Sequence, residues 1–516
     1  MYKQHNEWVL ILDYGSQVTQ LIARRVREHQ VYCEIYPCNT NLKQFKDNPP
    51  SGIILSGGPN SVNDDEAPAF NDDIFGFNVP VLGICYGLQL VAHVEKPGCV
   101  EKAKRREFGR AELLIDDDSE LLADVPDKST VWMSHSDHIH DLPKNFQITA
   151  HTKNAQVAAV KKTDDPFYGV QFHPEVAHTQ YGKKILENFI RNICQITSHW
   201  TAESFIQKTV EDIRERVGNA NVICGLSGGV DSTVVATLVH KAIGDQLECI
   251  FVNNGLLRKN EFEEVQHLYK RDLKLPVRAI DASDMFLDKL KGVFDPEKKR
   301  KIIGNIFIDV FDDAIKHKDE VKYLAQGTLY PDVIESISFK GPSSTIKSHH
   351  NVGGLPEEMN LDLIEPVREL FKDEVRSVGR KLGIPEHFIK RHPFPGPGLA
   401  IRIISDVNRE KLTMLREADH IFISELKHEG LYDTVWQAFV VLLPVQSVGV
   451  MGDERTYEFT AGLRSVNSVD GMTADWSKLP QEFLGHVSNR IINEVHGINR
   501  VVYDISSKPP STIEWE

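Results

Sequence analysis

The chain is 516 residues long and 41% hydrophobic, with a formal net charge of −15. That length exceeds a single ordinary core, so about two to four domains are expected. The acidic balance excludes a general role on the phosphate backbone of nucleic acid, while leaving room for a local basic pocket for a small phosphate ligand.

The N-terminus, MYKQHNEWVLILDYGSQ, has no basic segment followed by a long apolar run. It reads as a first strand rather than a signal peptide or a membrane span. Runs at 8–12 (WVLIL), 52–58 (GIILSGG), 79–85 (VPVLGIC), 157–161 (VAAVK) and 168–174 (YGVQFHP) read as strands. Stretches 20–29 and 86–94 read as helices, and 185–194 (ILENFIRNIC) as a closing helix. This alternation predicts an α/β domain over 1–197 built on a largely parallel sheet. The seven cysteines, Cys33, Cys38, Cys85, Cys99, Cys194, Cys224 and Cys249, are odd in number, scattered and without a CxxC pair. They argue against a disulfide framework or structural zinc and for a reducing compartment, so a soluble cytoplasmic protein is expected.

After a polar junction at 195–203, a second α/β pattern runs over 203–391. VICGL (222–226) leads into SGGVDST and a helix with apolar spacing at Val234, Val235, Leu238, Val239 and Ala242. ECIFV (248–252) and VKYLAQGTLY (321–330) read as further strands, and KGVFDPEKKRKIIG (291–304) as a basic stretch in an acidic chain. SFKGPSSTIKSHHNVGG (338–354) is too polar and glycine-rich for a core and reads as a mobile loop. HPFPGPGLA (392–400), dense in proline and glycine, marks the second boundary. Beyond it, 435–450 and 500–506 read as strands and 488–497 as a helix. The fold class expected is therefore two consecutive α/β domains with mainly parallel sheets, followed by a smaller α+β domain over 392–516.

Cys85 ends an apolar run and lies between Gly83 and Gly87, the G-x-nucleophile-x-G form of a strand-to-helix elbow. Core packing is the ordinary reading of such a cysteine. A nucleophile needs a base and an orienting carboxylate. VQFHPEV (170–176) supplies both, since His173 and Glu175 at i and i+2 point the same way in extended chain. LSGGPNS (55–61) offers backbone N–H groups after a strand, so Gly58 and the N–H of Tyr86 are assigned to an oxyanion hole. Together these residues resemble the class I (triad) glutamine amidotransferases over 8–195. The resemblance implies that Cys85 attacks the side-chain amide of glutamine, forms a glutamyl thioester and frees ammonia. His173 would shuttle the proton and Glu175 orient it. The resemblance also implies that Gln89 and the stretch Ser134, His135, Ser136 and Asp137 hold glutamine, in preference to a metal site at the histidines of 134–140.

Ser227-Gly228-Gly229-Val230-Asp231-Ser232-Thr233 lies between a strand and a helix and lacks the G-x-x-x-x-G-K-[ST] of a Walker loop. Its glycines let N–H groups converge, its hydroxyls donate, and the helix dipole favours an anion. It resembles the PP-loop of the N-type ATP pyrophosphatases, which split ATP between the α and β phosphates and pass AMP to a substrate oxygen. The resemblance implies ATP as co-substrate and Mg²⁺ to neutralise the departing charge, with Asp231 helping to hold the metal. Gln326 and Gly327 fall in the family's second ATP segment. Lys372 reads as a phosphate contact, with an exposed helix lysine a nearly matching alternative.

RKIIG (300–304), HPFPGPGL (392–399), VGVMGDERTYE (448–458), VSNRIINEV (487–495) and KPPSTIEWE (508–516) extend the match. With the two sites, they resemble the glutamine-hydrolysing GMP synthetases across essentially the whole chain. The resemblance implies that the C2 oxygen of XMP takes AMP from ATP and that ammonia then displaces AMP. Arg300 and Lys508 suit the XMP phosphate, and Glu514, beside Ile513, suits the ring N–H groups. It also implies a homodimer through the last region, while the acidic charge argues against a nucleic-acid partner and the lack of a long apolar run against a membrane one. His349 and His350 would lie in a loop that closes over ATP. In FVNNGLLR (251–258), Asn253 stands where the family usually carries aspartate, which removes the charge a direct metal ligand would need. Three competing readings are an NAD synthetase, a tRNA-thiolating PP-loop protein and a non-catalytic glutamine or nucleotide sensor. The triad argues against the first. The lack of a basic surface and of paired catalytic cysteines argues against the second. Intact triad and loop residues argue against the third.

Overall fold

The computed structural model describes residues 7–16, 18–65, 67–315, 321–336, 361–451, 454–468 and 473–516. They form two compact units, one of 7–204 with 333–336 and the other of 205–332 with 361–516. The loop with His349 and His350 lies outside the described residues.

The first unit is built on β1 (Trp8–Asp13), β2 (Tyr32–Pro37), β3 (Gly52–Leu55), β4 (Val81–Ile84), β5 (Val100–Ile115), β6 (Ser129–Ile139), β7 (Phe146–His151), β8 (Ala159–Lys162) and β9 (Phe167–Val170). They join in the order β2-β1-β3-β4-β9-β8-β7-β5-β6. The first five of that order run parallel, and the others extend the sheet antiparallel. The sequences explain the change. GIIL of β3 and VLGI of β4 are buried throughout, as strands covered on both faces must be. β6 alternates interior with more open positions, the mark of a sheet covered on one face. The runs read as strands correspond to β1, β3, β4, β8 and β9. The stretch β5–β7 escaped the sequence reading because its outward polar residues break up every apolar run.

The second unit holds β10 (Asn221–Leu226), β11 (Leu247–Asn253), β12 (Val277–Asp281), β13 (Val321–Ala325) and β14 (Asp362–Ile364) in a parallel sheet of order β12-β11-β10-β13-β14. Successive strands add to one side of β10 and then to the other. The C-terminal end of β10 is therefore the switch point at which such sheets bind ligands. The basic run read at 291–304 leads into the helix Pro296–Ile315. A second sheet holds β15 (Gln437–Met451), β16 (Glu454–Asn467), β17 (Asp475–Trp476) and β18 (Ile498–Asp504), with β16 pairing all three others. The boundary read at 392 falls inside this unit. Ile250, Phe286 and Ile306 share one apolar core with Leu415, Phe422, Val440 and Ile491. The helix Arg409–His428 bridges the two parts, burying Leu412, Leu415, Ala418, Phe422 and Leu426.

Candidate active site

β4 ends at Ile84, and the helix Tyr86–Glu95 begins two positions on. Cys85 fills the junction at φ 51° and ψ −105°. Positive φ strains a non-glycine residue, and such strain gathers at functional sites. A Cβ on Gly83 would lie 2.8 Å from the Leu88 nitrogen, and one on Gly87 2.6 Å from the Leu55 oxygen. No side chain fits at either place without moving backbone, so the elbow requires both glycines. The Cys85 N–H donates to the Val170 carbonyl at 2.7 Å, tying the turn to β9. The buried sulfur lies 3.9 Å from the Ser134 carbonyl.

His173 follows β9, and its Nδ1 lies 2.7 Å from the Glu175 carboxylate, itself completely buried. The backbone around the pair is pinned. The His173 N–H donates to the Trp132 carbonyl at 3.0 Å, Thr179 Oγ1 to the His173 carbonyl at 2.6 Å, and Arg25 Nε to the Glu175 carbonyl at 3.0 Å. Burial opposes charge on the imidazole, but the Glu175 carboxylate and the bond to Cys85 outweigh it and push His173 up to about 11. An imidazole held in its protonated form is ready to give a proton to a departing amine.

A Cβ on Gly57 would lie 3.1 Å from His173 Cε1 and 3.8 Å from Cys85 Cβ. Gly57, which the sequence reading passed over, therefore borders the space between imidazole and thiol. Gly58 packs under two tyrosines instead, its absent Cβ 2.9 Å from the Tyr14 carbonyl oxygen and 3.2 Å from Tyr86 Cγ. The Tyr86 hydroxyl donates to the Pro68 carbonyl at 3.1 Å, which anchors the first residue of the helix.

The residues read as glutamine-holding divide between the two faces of β6. Ser134 and Ser136 lie on its open face, while His135 and Asp137 point inward. His135 Nδ1 donates to the Asp137 carbonyl at 2.8 Å, and its ring lies near Glu107. Gln89 is buried as well, donating to the Asp137 carbonyl at 3.0 Å and to the Gln171 side chain at 3.1 Å. Ser134 and Ser136 are thus the side chains open to a ligand. Gln171, absent from the sequence reading, lies 3.6 Å from the Cys85 sulfur.

In the second unit SGGVDST follows β10 directly. Gly228 takes φ 76°, and Gly229 is the N-cap of the helix Val230–Ile243. Ser227 and Ser232 share a hydroxyl contact at 3.0 Å, and the Thr233 hydroxyl donates to the Gly229 carbonyl at 2.7 Å. Arg391 braces the loop from behind, donating to the Gly228 carbonyl at 3.0 Å and pairing with Glu261. Lys372 Nζ lies 3.2 Å from Asp231 Oδ2, which places this lysine at the loop. Asp231 Oδ1 is buried and has no hydrogen-bond partner, an acceptor that fits a hard cation. Gly327 backs onto the loop, its absent Cβ 3.6 Å from the Ser232 nitrogen, and the Gln326 N–H donates to the Ile364 carbonyl at 2.9 Å. Asn253 accepts from the Gly255 N–H at 3.0 Å, a turn that aspartate would make equally well.

The final residues are gripped by buried cations. Arg402, fully buried, donates twice to the Glu514 carboxylate, at 2.9 and 3.2 Å, and Gln437 donates to it at 2.8 Å. Arg464 donates to the carbonyls of Ser506 at 2.6 Å and Thr512 at 3.2 Å. Lys299 meets Glu516 Oε2 at 2.5 Å, and Arg300, read as a phosphate contact, donates to the Glu516 carbonyl at 2.7 Å. The Ile513 side chain enters a small core with Phe439, Val441 and Val466, while the Lys508 backbone pairs with Ala474. Arg402, Gln437 and Arg464 were missed because their partners lie far along the chain and no local pattern marks them.

Residues 10–193 match the family described as glutamine amidotransferase class-I, 201–306 match NAD synthase, and 424–515 match the GMP synthase C terminal domain. The chain is 60% identical over 514 residues to a GMP synthase (glutamine-hydrolyzing) of Chlorobium chlorochromatii, covering 98% of this chain and 99% of that one. Proteins of the same name from Chlorobaculum tepidum and Fusobacterium nucleatum are 60% and 57% identical, each match covering 98% of this chain and 99% of the relative. With relatives 57–60% identical over 98% of its length, the chain belongs to the glutamine-hydrolysing GMP synthase family.

Proposed function

We propose that the chain makes GMP from XMP, ATP and glutamine, coupling a glutaminase to an adenylylating synthetase. The observation that carries the reading is the joint presence, in one chain, of a cysteine elbow beside a His173–Glu175 contact of 2.7 Å and an SGGVDST loop at a sheet switch point.

In the glutaminase, the Cys85 sulfur attacks the side-chain carbonyl carbon of glutamine. The S–C bond forms, the C–N bond breaks, and His173 gives its proton to the leaving nitrogen, which departs as ammonia. Water, losing a proton to His173, then cleaves the thioester to glutamate. The N–H groups of Gly58 and Tyr86, with Gly57 beside them, take the oxyanion. Ser134 and Ser136 hold the substrate.

In the synthetase, loop N–H groups and hydroxyls from Ser227 to Thr233 hold the pyrophosphate end of ATP, with Gln326 and Gly327 behind and Lys372 alongside. The C2 oxygen of XMP attacks the α-phosphorus, pyrophosphate leaves, and ammonia then displaces AMP at C2. Asp231 is suited to hold Mg²⁺, which when bound neutralises phosphate charge. Lys508 and Arg300 serve the XMP phosphate, and Glu514, pre-oriented by Arg402, accepts from the ring N–H groups. The three sequence modules, 1–197, 203–391 and 392–516, divide these tasks into glutaminase, ATP pyrophosphatase and XMP-binding dimerisation region.

The exposed apolar side chains Val448, Val450 and Tyr457 on β15 and β16 support a homodimer through that last region. All seven cysteines are free, in keeping with a cytoplasmic setting. No helix among the described residues is long and apolar enough to cross a membrane.

The match to NAD synthase over 201–306 makes deamido-NAD the informative competitor. Steady-state assays with ATP and glutamine should yield GMP from XMP and nothing from deamido-NAD. Amidation of deamido-NAD in the absence of XMP would overturn the reading.

A further inference from the structure

The interior around Cys85 holds two glutamines that the steps above do not use. Their amides can be oriented by elimination. The Asp137 carbonyl only accepts, so the Gln89 group 3.0 Å from it is the NH₂. The same NH₂ lies 3.1 Å from the Gln171 amide, which must turn its oxygen toward it. Gln171 therefore presents its own NH₂ to the Cys85 sulfur at 3.6 Å. Both glutamines are buried, at 3% and 1% exposure, so water does not compete for these bonds. The frame is firm, since the Gln171 backbone N–H donates to the Ala158 carbonyl at 2.8 Å.

We propose that Gln171 is a catalytic residue of the glutaminase, donating an N–H to the Cys85 sulfur, and that Gln89 is the positioning residue that fixes its orientation. The inference rests on Cys85 being the nucleophile. A donor aimed at sulfur stabilises whichever state carries charge there. In the thioester the sulfur is neutral. When water has added and the tetrahedral carbon collapses, the C–S bond breaks and its electron pair returns to sulfur. The Gln171 bond strengthens at that moment, so its main effect falls on thioester cleavage. Gln89, with its NH₂ already committed on two sides, serves the sulfur through Gln171 rather than through a new bond to substrate.

The test uses the full chain with Gln171→Met, which keeps length and loses the donor, and Gln171→Glu, which keeps the acceptor for Gln89. Gln89→Met is expected to act in the same direction and more weakly. Loss of a hydrogen bond to a charged group predicts a fall in kcat for glutamate release of about 10- to 100-fold. Mass spectrometry of acid-quenched enzyme should show a larger fraction of Cys85 carrying the glutamyl adduct than in the parent. Synthesis from added ammonium reports folding of each variant. Unchanged kcat in both Gln171 variants would overturn the inference, and so would a fall in kcat without more adduct, the signature of lost packing. Cys85→Ala is run beside them. If it still releases glutamate, the nucleophile is misassigned and the failure lies with the reading beneath.

Discussion

At Cys85 the proposed chemistry depends on a backbone conformation as much as on a thiol. The elbow turns the residue out of the sheet at positive φ, between glycines that admit no Cβ. Cys85→Ala should abolish glutamine-dependent GMP formation and spare formation from ammonium; loss of both in a steady-state assay would break the division of labour proposed. His392 makes a second argument at this scale. Its ring stacks on Tyr432 with centroids 3.7 Å apart, Nε2 donates to the Tyr432 carbonyl, and Nδ1 accepts from the Ala438 N–H. One nitrogen donates and the other accepts, so the ring is neutral. Burial pushes it from 6.5 down to about 4. The folded value lies below the unfolded one, so the stability it contributes is present above pH 6.5 and is lost as pH falls through 4. Urea titrations of the parent should lose on the order of 3 kcal/mol from this group across that window, and His392→Gln should lose correspondingly less. Among single residues, the turn at Cys85, the His173–Glu175 contact and the place of Asp231 on its loop were legible because each sits in a short local pattern. Gln171 and Arg402 were not, since what they touch is decided by strand order and by a tail more than a hundred positions away.

Among the elements, the strand-turn-helix around Cys85 has the least room for change. Gly83→Ala would set a methyl against the Leu88 nitrogen at 2.8 Å, and Gly87→Ala against the Leu55 oxygen at 2.6 Å. Each should cost about 1–3 kcal/mol by thermal denaturation and disable the glutaminase more than the synthetase. A silent Gly83→Ala would mean the elbow has slack that its geometry denies. The central parallel strands β1, β3, β4, β10 and β11 were legible because burial on both faces writes a nearly unbroken apolar run, whereas β2, β12 and β14, parallel but partly open, were not. β5, β6 and β7 were not, because one open face dilutes the signal to alternation. In β6 that same alternation separated outward Ser134 and Ser136 from inward His135 and Asp137, a distinction the motif SHSD does not carry by itself.

For the molecule as a whole, surface and core make different claims. Val450 is 73% exposed and Tyr457 64% exposed, too much apolar surface on one pair of strands to be left to water without purpose. If the proposed dimer forms through these strands, Val450→Lys combined with Tyr457→Lys should leave a monomer in light scattering; an unshifted mass would place the contact elsewhere. Two α/β patterns could be read along the chain because each announces itself at a loop. The packing across 392 could not, because proline and glycine mark a turn in the backbone and say nothing of what the flanking helices touch.

That continuous interior has an evolutionary corollary. Were the gene ever to undergo fission, a break near 204 would cost neither product its hydrophobic heart. A break at 392 would strip Phe286 and Ile306 from Leu415 and Phe422 and leave both fragments sticky and insoluble. Descendants carrying the two activities on separate polypeptides should therefore have parted at the first junction and never at the second.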